Sequence, residues 1–129
     1  MPELILRKSF HRLGYRFRLH DSTLPGKPDL VFNKYKAVIF AHGCFWHGHG
    51  CFLFKWPSTR KVFWRNKISD NKSRDAKVLK QILDKGFRVL IVWECTIKKT
   101  SEKKLAAIIK KICLFLTGEQ RYKKIENIR

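Results

Sequence analysis

The chain has 129 residues and a mass of 15.4 kDa, room for one domain with a real core and too little for two. Its 29 lysines and arginines against 10 acidic residues give a formal net charge of +19, far past what solubility requires, and point to a polyanionic partner. No apolar run reaches membrane-spanning length and the basic start lacks a signal-peptide core, which excludes an integral membrane or signal-bearing secreted class and leads us to expect a cytosolic protein.

Taken in chain order, the spacing of Leu4, Ile5, Phe10 and Leu13 predicts a helix over residues 3–13, with Gly14 as its stop. Tyr15-Arg16-Phe17-Arg18-Leu19 alternates apolar and basic residues, as a half-buried strand does. Pro25-Gly26 marks a turn, and residues 29–32 and 37–40 then read as a hairpin around Asn33-Lys34-Tyr35-Lys36. After a loop, residues 60–85 carry a long helical pattern closed by Gly86, and residues 88–94 read as a strand buried on both faces. Ser101 caps a last helix running to about Leu116, before Gly118. There are no repeats and no low-complexity linker, so the expectation is a single α/β domain.

The loop after the hairpin concentrates chemistry. Between Ala41 and Cys51 lie His42, Cys44, Phe45, Trp46, His47, His49 and Cys51. Thiolate and imidazole are the preferred ligands of zinc, and Cys44, His49 and Cys51 are close enough to converge on one ion from a single loop. Cys95, at the end of the buried run Val89-Leu90-Ile91-Val92-Trp93, supplies the fourth ligand of a closed structural site. In a reducing compartment the four cysteines read as metal ligands plus one spare, Cys113, in the apolar stripe of the last helix.

Pro28-Asp29 opens the first hairpin strand, and the second strand delivers its end into the histidine-rich loop, so Asp29 and His42 can lie side by side. A carboxylate there can hold Mg²⁺, which keeps its waters and bridges to phosphate oxygens. His47 lies outside the zinc set and is either a general base toward water or a competing ligand in place of His49. Basic residues spread along the chain and interleaved with aromatics fit nucleic acid better than a membrane surface, which favours one basic amphipathic segment. The residues thus leave open a nuclease and a zinc-stabilised DNA-binding module without catalysis. Asp29 beside His42 and His47 in a strongly basic chain supports the nuclease.

The sequence resembles the very short patch repair (Vsr) DNA mismatch endonucleases, members of the restriction-endonuclease-like superfamily. The likeness runs from about Glu3 to the helix after Cys95. It rests on Leu24-Pro25-Gly26-Lys27-Pro28-Asp29, on Val38-Ile39-Phe40-Ala41-His42-Gly43-Cys44-Phe45-Trp46-His47, on Phe63-Trp64 with Lys67, Asn71 and Arg74-Asp75, and on Arg88-Val89-Leu90-Ile91-Val92-Trp93-Glu94-Cys95.

That resemblance implies a restriction-endonuclease-like domain with a central mixed β-sheet flanked by helices and a structural zinc site. It implies Mg²⁺-dependent nicking of one strand beside a T:G mismatch in double-stranded DNA, by an enzyme working with two Mg²⁺ ions. Asp29 and the main-chain carbonyl of Ala41 match the Mg²⁺ ligands, and Glu3 an acidic residue linked to the metals through water. His47 matches the histidine that activates water, Asp75 the carboxylate that orients it, and His42 a second active-site histidine. Cys44, His49, Cys51 and Cys95 match the structural Zn²⁺ ligands. Phe45, Trp46 and Trp64 match aromatics that wedge into the duplex, while Lys67 and Asn71 match residues that contact the mismatched pair. A monomer acting in the bacterial or archaeal cytosol, with other repair proteins as partners, is implied as well. Two departures go with it: the chain is expected to lack the family's N-terminal arm, and Phe40-Ala41-His42 stands where the wider superfamily carries acid-x-Lys. The alternative kept open is a restriction-like nicking endonuclease of other target specificity.

Overall fold

Strict alternation along the central strands decides which side chains meet which helices. The computed structural model describes residues 2–51, 54–98 and 100–126. Its elements are α1 (Pro2–Arg12), β1 (Arg18–Leu19), β2 (Leu30–Phe32), β3 (Ala37–His42), α2 (Lys61–Asp84), β4 (Arg88–Trp93), α3 (Glu94–Ile97), α4 (Glu102–Thr117) and β5 (Tyr122–Ile125). The strands lie in sequence order in one mixed sheet: β1, β2 and β3 pair antiparallel, and β4 and β5 add on parallel. The result is an α/β fold.

On one face Leu30, Phe32, Ala37, Ile39, Leu90 and Val92 pack against Leu6 and Phe10 of α1 and Ile109, Ile112, Phe115 and Leu116 of α4. On the other, Val31, Val38, Phe40, Val89 and Ile91 meet Ile82, Val78 and Leu79 of α2. Successive strand residues point to opposite faces. Continuing the alternation by one residue puts Asp29 before β2, His42 at the end of β3 and Trp93 at the end of β4 all on the α2 face. Polar chemistry therefore collects where the apolar ladder ends.

Two devices tie the layers. Ser101 caps α4 by accepting a hydrogen bond from the Lys104 N–H at 3.2 Å. Arg88 donates to the carbonyls of Phe115 (2.6 Å), Leu116 (2.7 Å) and Tyr35 (3.0 Å), so one guanidinium satisfies the end of α4 and the turn before β3.

The predicted hairpin, long helix, buried strand and capped last helix are all present. The strand expected over residues 15–19 shrinks to Arg18–Leu19, the two residues that pair with Val31 and Leu30 of β2, although Tyr15 and Phe17 do turn inward. Tyr15 packs edge-on to Phe10 at 5.3 Å between centroids and Phe17 against Phe32 at 5.6 Å. The short helix α3 and the strand β5 are additions to the sequence reading. No helix among the described residues is long and apolar enough to cross a membrane.

Candidate active site and metal cluster

The segment after β3 coils tightly, with the His49 N–H bonded to the Cys44 carbonyl at 2.9 Å and the Cys51 N–H to the His49 carbonyl at 2.8 Å. Gly48 lets it lie against α2: its φ is +60°, and a Cβ there would sit 2.6 Å from both Ile68 Cγ2 and Lys72 Cε. This coil sends Cys44, His49 and Cys51 inward and Phe45 and Trp46 outward.

Inward, Cys44, His49, Cys51 and Cys95 bring one ligand atom each to within 4.8 Å of one another, all of them buried. Cys95 comes from α3, directly after β4, and lies 3.7 Å from His49 Nδ1. His49 Nε2 faces Glu126 Oε2 at 2.7 Å, and the imidazole stacks on Trp93 at 4.0 Å between centroids and 8° between planes. Burial pushes the Cys44 thiol well up, so without a cation the thiolate is disfavoured there. Three sulfurs and one imidazole nitrogen gathered around a common point can hold a metal ion of zinc's preference.

Toward α2 the sheet edge opens into a cleft of about 500 Å³ lined by Asp29, Ala41, His42, His47, Arg74 and Asp75 among others. Its floor depends on Gly26, with φ +73°, where a Cβ would come within 2.5 Å of Val78 Cγ1. Asp29 Oδ2 accepts the Ala41 N–H at 2.7 Å, which locks the carboxylate to the end of β3. Burial raises the Asp29 pKa, and the Ala41 hydrogen bond and His20 pull against that rise.

His47 Nδ1 is hydrogen-bonded to Asp75 Oδ2 of α2. That contact fixes the tautomer and leaves Nε2 as the basic nitrogen. His42 stacks flat on His47, 3.9 Å between centroids at 4°. Burial, and after it the charge of His47, lower the His42 pKa from 6.5 to about 4. His42 is therefore neutral near pH 7, and its buried Nδ1 has no hydrogen-bond partner among the described residues.

His20 was not singled out from the sequence. It stands in a left-handed conformation, φ +46°, with Nε2 3.3 Å from Glu3 Oε1 and Nδ1 3.7 Å from Asp29 Oδ1. One imidazole thus links the two acids predicted for the metal site. Its partners Glu3 and Asp29 are distant in sequence, and a surface histidine next to Asp21 gives no reason to expect it there.

The outward aromatics form a continuous surface group. Phe45 meets Trp46 at 5.3 Å and Trp64 at 5.2 Å, and Trp46 meets Trp64 at 5.6 Å. Trp46 and Trp56 are more than half exposed, and Phe54, Trp56 and Phe63 extend the group beyond the three residues expected. Lys67 is exposed on α2. Asn71 departs from the expectation of a DNA-contacting side chain. It is 6% exposed, its Nδ2 donates to the Trp46 carbonyl at 2.8 Å, and its Oδ1 accepts from Arg74. Its position four residues from Lys67 does not suffice for exposure, because the returning loop covers that part of the helix.

A basic α/β domain that gathers Asp29 before β2, His42 at the end of β3, His47 of the following coil and Asp75 of α2 in one cleft fits the class of nucleases. Comparison with known proteins narrows the class. The family model for the DNA mismatch endonuclease Vsr matches residues 1–53. The DNA mismatch endonuclease Vsr of Escherichia coli K12 is 44% identical over 106 residues, covering 82% of this chain and 68% of that protein. The type II nicking enzyme V.XorIIP of Xanthomonas oryzae pv. oryzae is 47% identical over 94 residues, 73% and 69% of the two chains. The type II nicking enzyme V.NmeAIP of Neisseria meningitidis serogroup A is 44% identical over 97 residues, 75% and 69%. The chain belongs to the Vsr endonuclease family.

Proposed function

We propose that this protein nicks one strand of duplex DNA beside a T:G mismatch by Mg²⁺-dependent hydrolysis, with Zn²⁺ as a structural ion. The observation that carries the reading is the cleft itself. Asp29, clamped on the Ala41 N–H, stands on the same sheet edge as His47, whose Nδ1 is held by Asp75.

Asp29 and the Ala41 carbonyl would hold Mg²⁺, with Glu3 reached through water and His20 setting the spacing of the two acids. When bound there, Mg²⁺ supplies Lewis-acid stabilisation of the phosphate charge. His47 Nε2 takes the proton of the attacking water, and Asp75 steadies the imidazolium that forms. Neutral His42 packs beneath His47 and adds no second positive charge that would oppose protonation of the base. Parallel rings send their lone pairs along parallel planes, so the two histidines suit proton handling better than a shared metal ion. Cys44, His49, Cys51 and Cys95 would hold Zn²⁺ in a closed tetrahedral set, which contributes folding energy and offers no place for water.

Phe45, Trp46 and Trp64 would wedge between base pairs, where unstacking costs least at a mispair. Lys67, exposed on α2, would reach the mismatched bases, while Asn71 would act by holding the Trp46 carbonyl. This reading takes residues 1–129 as one domain that acts as a monomer in the cytoplasm. The nicking-enzyme names among the relatives favour a second reading, a restriction-like nicking endonuclease of other target specificity.

The test is nicking of matched and T:G duplexes in Mg²⁺, with the cut mapped relative to the T. Cleavage confined to the strand beside the mismatch is the expected result. Equal cutting of matched duplex, or cutting of both strands, contradicts it.

A further inference from the structure

The most constrained imidazole in the molecule is that of His49. Its face lies on Trp93, its Nδ1 points toward Cys95 Sγ at 3.7 Å, and its Nε2 meets a carboxylate, Glu126 Oε2, at 2.7 Å. Glu126 sits 77 positions along the chain from His49, directly after β5. The strand register explains the meeting. Ile125 pairs with Val92 and is buried with the α1/α4 core, so the next residue falls level with Trp93 and turns to the opposite face, where His49 stacks. The Glu126 side chain is 13% exposed, and its other oxygen is 3.6 Å from Lys124 Nζ. A carboxylate so nearly buried needs a donor to justify its place.

We propose that Glu126 is the outer-shell partner of the zinc site. It accepts the Nε2–H of His49, fixes Nδ1 as the ligand atom, and ties strand β5 to the histidine-rich loop. This inference rests on the proposed zinc set. Metal-bound imidazoles characteristically donate their second N–H to a carboxylate, which orients the ring and raises its basicity. The geometry also has a consequence for the cleft. His47 lies two residues before His49 on the same coil, and the Trp93 ring under His49 stands edge-on to His42 at 5.0 Å. A loose His49 would therefore loosen the loop that carries the active-site histidine.

The experiment is competition for Zn²⁺ between the full-length protein and a chromophoric chelator, together with visible spectra of the Co²⁺-substituted forms. Glu126→Ala should weaken Zn²⁺ binding by about 10–100-fold, the usual cost of losing an outer-shell partner, and change the Co²⁺ spectrum. Glu126→Gln, which keeps an acceptor for Nε2–H, should recover part of the loss. Lys124→Ala should leave affinity unaltered. Ile125→Ala separates the direct bond from general strand docking: it should lower thermal stability with little effect on affinity. Wild-type-like Zn²⁺ binding by Glu126→Ala overturns the inference alone, as does an equal loss in Ile125→Ala. A wild-type protein that binds no Zn²⁺ overturns the metal reading and this inference with it.

Discussion

One loop feeds two sites of opposite character. Cys44, His49 and Cys51 turn into a closed pocket where every ligand atom is buried and the imidazole is held on three sides. His47, two residues from His49, turns into an open cleft beside Asp29 and Asp75. On the proposed function, the same residue type serves structure in one place and chemistry in the other. Whether the site is closed or open decides which, because a filled tetrahedron leaves no position for substrate.

The largest way to break this contrast is to open the closed site. Structural zinc binding contributes on the order of 10 kcal/mol that is also folding free energy. Cys95→Ser should abolish zinc content and sharply lower the melting temperature, whereas Cys113→Ser, outside the cluster, should be mild. Metal analysis with thermal melts checks both. Unchanged zinc and stability in Cys95→Ser would show that the cluster is only packed thiols.

On the open side, His47→Ala should reduce the single-turnover nicking rate by about 10²–10⁴-fold, the range for a lost general base, with DNA affinity nearly unchanged. Asp75→Asn should also slow nicking, by less than the loss of Asp29, because the base survives while its tautomer, orientation and imidazolium lose their support. A matching loss of affinity in either variant would move the pair from catalysis to binding.

The boundary between the sites can be read by pH. His42 titrates at 6.5 when unfolded and at about 4 when folded, so the unfolded chain binds more protons between those values and stability falls as pH drops through the window. The full effect is about 3 kcal/mol. The raised Asp29 pKa acts in the opposite sense, which makes His42→Asn the clean comparison: its denaturant midpoint should change less between pH 7 and pH 4 than that of wild type. An unaltered pH slope in that variant would mean that His42 is not buried neutral. Smallest in energy is the aromatic surface, where Trp46→Ala should cost about 1–3 kcal/mol, more on T:G than on matched duplex. Equal losses on both would make it a general adhesion surface.

Much of this was legible in the residues themselves. The apolar runs Leu30-Val31-Phe32 and Ala37-Val38-Ile39-Phe40 on either side of a turn gave the hairpin, and the ligand spacing of the histidine-rich loop with Cys95 gave a set whose atoms do converge. Strand β5 was not legible, because Lys123 and Lys124 interrupt its apolar character and its pairing depends on the register against Leu90 and Ile91. Glu126 stayed hidden with it. His20 and Asn71 failed for a related reason: their partners, Glu3 and the Trp46 carbonyl, are set by how a turn and a loop fold back, which no local spacing encodes.

The most direct measurement is single-turnover nicking of a T:G duplex by Asp29→Asn with Mg²⁺, alongside its DNA binding and zinc content. Cutting should vanish while binding stays intact or tightens without metal, since negative charge has left a phosphate site, and zinc should remain at the wild-type level. Nicking at near the wild-type rate would contradict the assignment of the chemistry to this cleft.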